Sequence, residues 1–330
     1  MTLRSLYSAV CKSFRHHDIP DAAFEASLLI QQFCQCSRAQ FLVHGHEIQV
    51  SPAQQHRLEG AVSERICRRP LQYILGSWPF LDLDLQVGEG VLIPRDDTVV
   101  LVEAMAERLD SWESDPMLSP HHPDSPLMPC HGGARSPYTT ARSPHIKKSI
   151  ETAKLFGIDL CSGTGVVALA LCRRHPNRQM AALELSDAAY PYLLKNLSAY
   201  PEAAIRPIQG DLFSPVVADA LPPLDFLTAN PPYIATKELP QLQPEVQKEP
   251  ALALDGGPDG LRFYRCIAGL WLPKLRPGGW AAVEIGEDQG PSVSALFASA
   301  GLSQVQVLTD LAGLPRVVLG QQARLSTGGT

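Results

Sequence analysis

Residues 158–171 read Ile158-Asp159-Leu160-Cys161-Ser162-Gly163-Thr164-Gly165-Val166-Val167-Ala168-Leu169-Ala170-Leu171, an apolar strand that breaks at two glycines and runs straight into a helical stretch. Glycine lets the backbone pass close to a ligand, and the amino end of the helix offers unpaired N–H donors to an anionic group. The stretch therefore predicts a strand-turn-helix corner that holds a nucleotide-like cofactor. Outward from it, strand-like runs at Leu155–Leu160, Met180–Leu185, Leu224–Ala229, Trp280–Ile285, Val305–Leu308 and Val317–Leu319 alternate with helical stretches. Such alternation predicts an α/β fold, a mostly parallel sheet with ligand sites at the carboxyl ends of its strands.

The loop alone does not choose its ligand. Gly163-Thr164-Gly165-Val166-Val167-Ala168 also satisfies the G-x-G-x-x-A dinucleotide fingerprint, so NAD and S-adenosylmethionine compete with a tight turn that binds nothing. Glu184, ending the second strand about 20 residues on, suits either cofactor because its carboxylate accepts both hydroxyls of a ribose. Asp211, in Gly210-Asp211-Leu212-Phe213 after a third strand, is placed to accept from an adenine amino group, with Phe213 against the ring. A turn-capping role for Asp211 competes with that reading. Asp159 reads as an organiser of the loop or a partner of the methionine amino group.

The fourth strand ends Leu227-Thr228-Ala229-Asn230-Pro231-Pro232-Tyr233-Ile234. With average residue usage, Asn-Pro-Pro-Tyr arises by chance on the order of once in a thousand chains of this length. The Asn230 side-chain oxygen and the Pro231 carbonyl can each accept one N–H of a planar NH₂ group, and the two prolines stiffen the turn. Tyr233 can lie against the face of a planar amide. Orientation of two bound reactants contributes on the order of 7–11 kcal/mol, so a poor nitrogen nucleophile needs no strongly shifted base. Hydride transfer has no use for such a clamp, which favours S-adenosylmethionine over NAD.

The 330 residues are 45% apolar and 19% charged, with a formal net charge of −6, which describes a globular chain long enough for a large domain and a small one. No run of roughly 18 apolar residues exists to span a bilayer. The opening residues lack a secretory h-region, so a cytoplasmic chain is expected. Eight cysteines without C-x-x-C spacing predict neither disulfides nor a metal site. Ala22, Ala26, Leu29, Ile30 and Phe33 make one helical stripe and Leu58, Ala61, Val62 and Ile66 another, the second capped by Ser51 ahead of Pro52, so residues 1–75 are expected to form a helical bundle. Leu81, Leu83, Leu85 and Val87 alternate with polar residues, and Gly88-Glu89-Gly90 separates them from Val91-Leu92-Ile93, which predicts a hairpin linker over 76–94. A helix from Asp97 or Thr98 to about Leu109 opens the domain expected over 95–330. Between residues 112 and 150 lie seven prolines among Ser, His and Gly, read as a disordered insertion. Its His121, His122, Cys130 and His131 read as an irregular polar loop rather than a metal site.

With these motifs in hand, the chain resembles the HemK/PrmC family, S-adenosylmethionine-dependent methyltransferases that modify a glutamine side chain in peptide chain release factors. The resemblance is carried by Pro70-Leu71-Gln72-Tyr73-Ile74-Leu75-Gly76, Val91-Leu92-Ile93-Pro94-Arg95, the glycine loop, Asn230 to Tyr233, Glu245-Val246 through Glu249-Pro250, Leu254-Asp255-Gly256-Gly257 with Asp259-Gly260-Leu261, Glu284-Ile285-Gly286, and the tail from Asp310-Leu311 to Arg316-Val317-Val318. It implies a seven-stranded class I methyltransferase sheet and an amino-terminal helical domain that grips the release factor. It implies that Asp159, Cys161, Gly163, Gly165, Glu184, Asp211, Leu212, Phe213 and Asn230 hold the cofactor. The acceptor would be the glutamine of a Gly-Gly-Gln loop, held by Asn230, Pro231, Pro232, Tyr233 and Arg95, with Asn230, Pro231 and Tyr233 catalytic. Two departures stand out: Val99 occupies a position where the family usually has a carboxylate, for which Asp96 is a possible substitute, and Cys161 stands where many relatives have glycine.

An adenine-N6 or guanine-N2 nucleic-acid methyltransferase presents the same planar NH₂ to this tetrapeptide, and a catalytically silent release-factor-binding protein is the alternative from another class. A base-modifying enzyme needs a basic groove. Arg65, Arg68 and Arg69 form the notable basic cluster, and the end of a helix accounts for them by dipole complementation. Neither stable nucleic-acid binding nor a membrane is expected, and a monomer is.

Overall fold

The computed structural model describes residues 1–114 and 155–324, which form two compact units. Most of the Pro/Ser/His-rich segment, including His121, His122, Cys130 and His131, lies outside the described residues.

The first unit spans residues 1–78, 87–89 and 242–249. Its helices are α1 (Leu3–His16), α2 (Ala22–Cys34), α3 (Arg38–His44), α4 (Pro52–Ile66) and α5 (Leu71–Leu75). The expected stripe of α2 is realised, with Ala26, Leu29 and Ile30 fully buried against Leu3, Phe14 and Leu58. Ser51 caps α4 as expected: its hydroxyl accepts from the Gln54 N–H while the Gln54 side chain accepts from the Ser51 N–H at 3.0 Å, a reciprocal box that satisfies two orphan donors.

The arginines at the end of α4 are not dipole complements. Arg65 is 3% exposed and donates from Nε to Glu25 at 2.6 Å and from Nη1 to Glu245 at 2.8 Å, while Arg68 reaches Glu245 at 3.2 Å. Arg69 pairs with Glu64 and Glu89. Full burial of a guanidinium demands compensating carboxylates, and this is why residues 242–249 belong to the helical unit, which the sequence reading had assigned to the second domain. Removing Arg65 would strand the buried Glu25. Arg65→Ala is expected to destabilise the protein by about 3–5 kcal/mol, checked by the denaturant midpoint; a loss below 1 kcal/mol would show that the triad does not hold the unit.

The hairpin consists of β1 (Ser77–Phe80) and β2 (Leu83–Gln86). Leu83 and Leu85 are buried and Asp84 and Gln86 exposed, as the alternation requires. The turn, however, falls at Leu81, which takes φ of +51°, and not at Gly88-Glu89-Gly90; Val91-Leu92-Ile93 is therefore not the second strand. Local pairing of four-residue strands wins over the glycine signal. The following helix α6 (Thr98–Ser114) also runs past the expected end near Leu109, because Trp112 is 4% exposed in the apolar core, so the irregular segment cannot begin at 112.

The second unit is built on a seven-stranded sheet. Its strands are β3 (Phe156–Leu160), β4 (Gln179–Glu184), β5 (Ile205–Gln209), β6 (Leu224–Ala229), β7 (Leu275–Glu284), β8 (Leu302–Thr309) and β9 (Pro315–Gln322), in the order β5-β4-β3-β6-β7-β9-β8. All pairs from β5 to β7 are parallel, and β9 runs antiparallel to both β7 and β8. The mostly parallel sheet is as expected, with seven strands as the resemblance implies; β5 is not among the six apolar runs read from the sequence, because its residues are only partly buried. Helices α7 (Val166–Arg174), α8 (Tyr190–Ala199), α9 (Pro215–Asp219), α10 (Arg262–Cys266) and α11 (Gly290–Ser299) complete the unit with several short 3₁₀ turns.

The parallel strands are apolar on both faces. Met180, Ala182, Phe226, Trp280 and Ala282 join one cluster with α6 and α7, while Ile158, Leu160, Ala181, Leu183, Leu227 and Val283 join the other with Tyr264, Trp271 and Phe297. Burial of each large side chain contributes about 1.5–3 kcal/mol, which explains the near-continuous apolar runs that marked these strands. The chain proceeds from β3 outward through β4 and β5, then returns to place β6 on the other side of β3. Ligands bind outside the carboxyl ends of the strands at such a reversal.

Candidate functional site

A cavity opens at that reversal. Its walls include Asp159, Cys161, Ser162 and Gly163 after β3, Glu184 at the end of β4, Asp211, Leu212 and Phe213 after β5, Asn230 and Pro232 after β6, and Arg95 and Thr98 at the start of α6. Ten of the residues singled out from sequence thus meet on one surface. Gly165, Pro231 and Tyr233 do not line it.

Gly165 serves packing instead. It takes φ of +82° at the start of α7, and a Cβ there would lie 2.7 Å from Leu193 of α8. Cys161 is half-buried at φ +56°, a left-handed conformation that glycine adopts without cost, which accounts for glycine at the matching position in the resemblance. Burial, reinforced by Glu184 and Asp159, pushes its thiol well above the ordinary range and keeps it neutral.

Glu184 is 8% exposed and braces the loop it faces. One oxygen accepts from the Gly163 N–H and the other from the Ser186 N–H, each at 2.8 Å. Each carboxylate oxygen has capacity for a further donor. Asp211 makes the turn-forming bond expected of it, Oδ1 accepting from the Phe213 N–H at 2.8 Å, and it also lines the cavity. Phe213 meets Phe263 with ring centroids 5.2 Å apart, and the Arg262 guanidinium lies 4.7 Å over its ring. Asp159 is 1% exposed and accepts from the Thr228 hydroxyl at 2.8 Å. Burial pushes its carboxyl up to about 7 against the opposing pull of Thr228 and Ser162.

The turn after β6 is braced from behind. Pro231 is buried, and Tyr233 packs half-buried against the second apolar cluster. The Gln289 side chain donates to the Tyr233 carbonyl at 2.9 Å, and a Cβ on Gly260 would collide with that same carbonyl. The Gly256 and Gly260 motif thus lets a second backbone approach the tetrapeptide. Burial raises the Tyr233 phenol far above its ordinary range, so it stays protonated.

The sequence offers Thr98 only as a helix cap, and Glu284 only within a strand and in the Glu284-Ile285-Gly286 motif of the resemblance, with no site role for either. Asn230 Nδ2 donates to Thr98 Oγ1 at 3.2 Å, and the Thr98 hydroxyl donates to Glu284 Oε2 at 2.7 Å. Burial pushes the Glu284 carboxyl up to about 7, while donors from Thr98 and Asn230 pull it down. No local pattern announces such a pairing, since the residues are brought together only by the assembly of β6, β7 and the start of α6. Val99 packs against the first apolar cluster, and neither it nor Asp96 lines the cavity.

A family model described as the PrmC N-terminal domain matches residues 5–76. A release factor glutamine methyltransferase of Moorella thermoacetica is 36% identical over 97% of this chain and 98% of its own length. The chain belongs to the release factor glutamine methyltransferase family. Another member, from Caulobacter vibrioides, is 30% identical over 97% of this chain and 96% of its own. The glycine loop on a seven-stranded sheet with antiparallel β9 is the class I methyltransferase arrangement that the family resemblance implied. Among the described residues no helix is long and apolar enough to cross a membrane.

Two carboxyls whose folded pKa is raised bind more protons in the native than in the unfolded state, so stability falls as pH rises from the ordinary carboxylate range to about 7. Their contribution is fully present below about pH 4 and gone above the folded value. Glu284→Gln is expected to flatten that decline, measured by denaturant unfolding from pH 5 to 8; an unchanged slope would show that Glu284 does not titrate in this window.

Proposed function

We propose that this cavity binds S-adenosylmethionine and that the protein methylates the side-chain amide nitrogen of the glutamine in the Gly-Gly-Gln loop of a peptide chain release factor. The observation that carries this reading is that Asn230 and Pro232 share one cavity with the glycine loop, Glu184 and Asp211. Relatives named for glutamine methylation support the acceptor.

The donor set fits the cofactor. Glu184 offers its remaining lone pairs to the ribose hydroxyls, Asp211 to the adenine amino group, and Phe213, already paired with Phe263, packs against the ring. Asp159 holds the loop and faces the methionine amino group. When bound, the cofactor supplies a methyl group on a positively charged sulfur, open to in-line displacement.

Asn230 accepts one N–H of the glutamine amide and the Pro231 carbonyl accepts the other, while Tyr233 supports the amide face and Arg95 contacts the acceptor segment. These contacts would aim the nitrogen at the methyl donor, and the proton the amide gives up would pass by way of the Asn230 and Pro231 acceptors to solvent. Positioning supplies the rate, because two reactants held in line need no group ionised more strongly than those present. The helical unit grips the release factor.

Labelled S-adenosylmethionine incubated with the protein and either release factor or duplex DNA is expected to mark the release factor glutamine. Label in the DNA would overturn this reading. Asn230→Ala is expected to lower kcat on the order of a hundredfold or more with cofactor affinity nearly intact, and turnover within a few-fold of wild type would sink the amide clamp. Glu184→Ala is expected to weaken cofactor binding about 10- to 100-fold by calorimetry; unchanged affinity would remove the ribose assignment.

A further inference from the structure

We infer that Thr98 and Glu284 are positioning residues that hold the Asn230 carboxamide with its NH₂ turned inward and its oxygen presented to the acceptor. The inference rests on the proposed role of Asn230 and names the residues that make that role possible.

A carboxamide has one acceptor end and one donor end of nearly equal shape. Only the oxygen can receive an N–H from a substrate amide; reversed, the side chain would set NH₂ against NH₂. Something must therefore fix the flip. Thr98 is 1% exposed and Glu284 2%, so water does not supply alternative partners. The Thr98 hydroxyl has a single hydrogen, and it goes to Glu284 Oε2 at 2.7 Å. Its oxygen is left able only to accept, and it does so from Asn230 Nδ2 at 3.2 Å. Glu284 is thus linked to Asn230 through the Thr98 hydroxyl. A flipped carboxamide would set its oxygen against the Thr98 oxygen, an acceptor against an acceptor, and leave both unpaired.

The fold sets this geometry in place. Ala229 pairs with Val283 across β6 and β7, so Asn230 and Glu284 are the next residues on adjacent strands, and Thr98 is the first residue of α6. The Tyr264 hydroxyl donates to the Glu284 carbonyl at 2.7 Å and fixes the strand end. Asp97, Arg316, Tyr233 and Tyr264 are the titratable and charged neighbours that act on Glu284.

The test compares Thr98→Val, which keeps the shape and deletes both hydrogen bonds, with Thr98→Ser, which keeps them. Thr98→Val is expected to lower kcat at least tenfold while cofactor Kd and acceptor KM stay within about threefold, and Thr98→Ser is expected to recover most of the lost rate. A merely structural threonine would shift melting temperature without this split or this rescue. Independently of any acceptor, the Asn230 side-chain NH₂ signal in ¹⁵N spectra, assigned by its loss in Asn230→Ala, should exchange slowly with solvent in the wild type and fast in Thr98→Val. A valine variant with kcat within threefold of wild type, or an NH₂ exchange rate that the substitution leaves unchanged, would overturn the inference. If the wild type marks no release factor, the proposed function fails on its own while the exchange measurement still decides the orientation of the carboxamide.

Discussion

The second unit is governed by one constraint: parallel strands buried on both faces all release their polar termini at the same edge. Every carboxylate placed there must find donors within its own neighbourhood or give up its charge. Asp159 takes the Thr228 hydroxyl, Glu184 two backbone N–H groups and Glu284 the Thr98 hydroxyl. The walls of the cavity are thereby stiffened by the same bonds that stabilise the fold. The chemistry proposed for the protein asks for little else, since the acceptor nitrogen needs aim more than it needs a strong base.

Each loop also supports its neighbour. Glu184, on β4, secures the glycine loop that follows β3, while Asn196 of α8 donates to the Thr164 carbonyl at 3.0 Å and accepts from the Gln86 N–H at 2.7 Å. Gln289, after β7, holds the turn that follows β6. Rigidity of this kind comes from pairs remote in sequence, so each loop conformation is a property of the assembled sheet rather than of its own residues.

The legible parts were those written locally. Near-continuous apolar runs between helical stretches exposed most of the strands, Gly163 and Gly165 exposed the corner, and Asn230 to Tyr233 exposed the turn, because apolar runs, conformational freedom and rare composition are visible within a few residues. Thr98 and Glu284 escaped because a threonine at a helix start already has an ordinary explanation. The arginines of α4 were misread for a similar reason: helix ends commonly carry cations, and nothing nearby tells that Glu245 returns to meet Arg65. Gly88-Glu89-Gly90 looked like the hairpin turn, yet Leu81 makes it, since the cross-strand register of short segments outweighs a glycine preference.

The carboxylate of Glu245 carries a consequence for how the polypeptide matures. During synthesis the amino-terminal helices leave the ribosome long before residue 245, so the pairing of Arg65 with Glu245 has to wait until that segment is made. The helical unit is thus completed late, by a segment made after β3 to β6 of the sheet. Exchanging that unit between relatives would have to carry the distant octapeptide along with it.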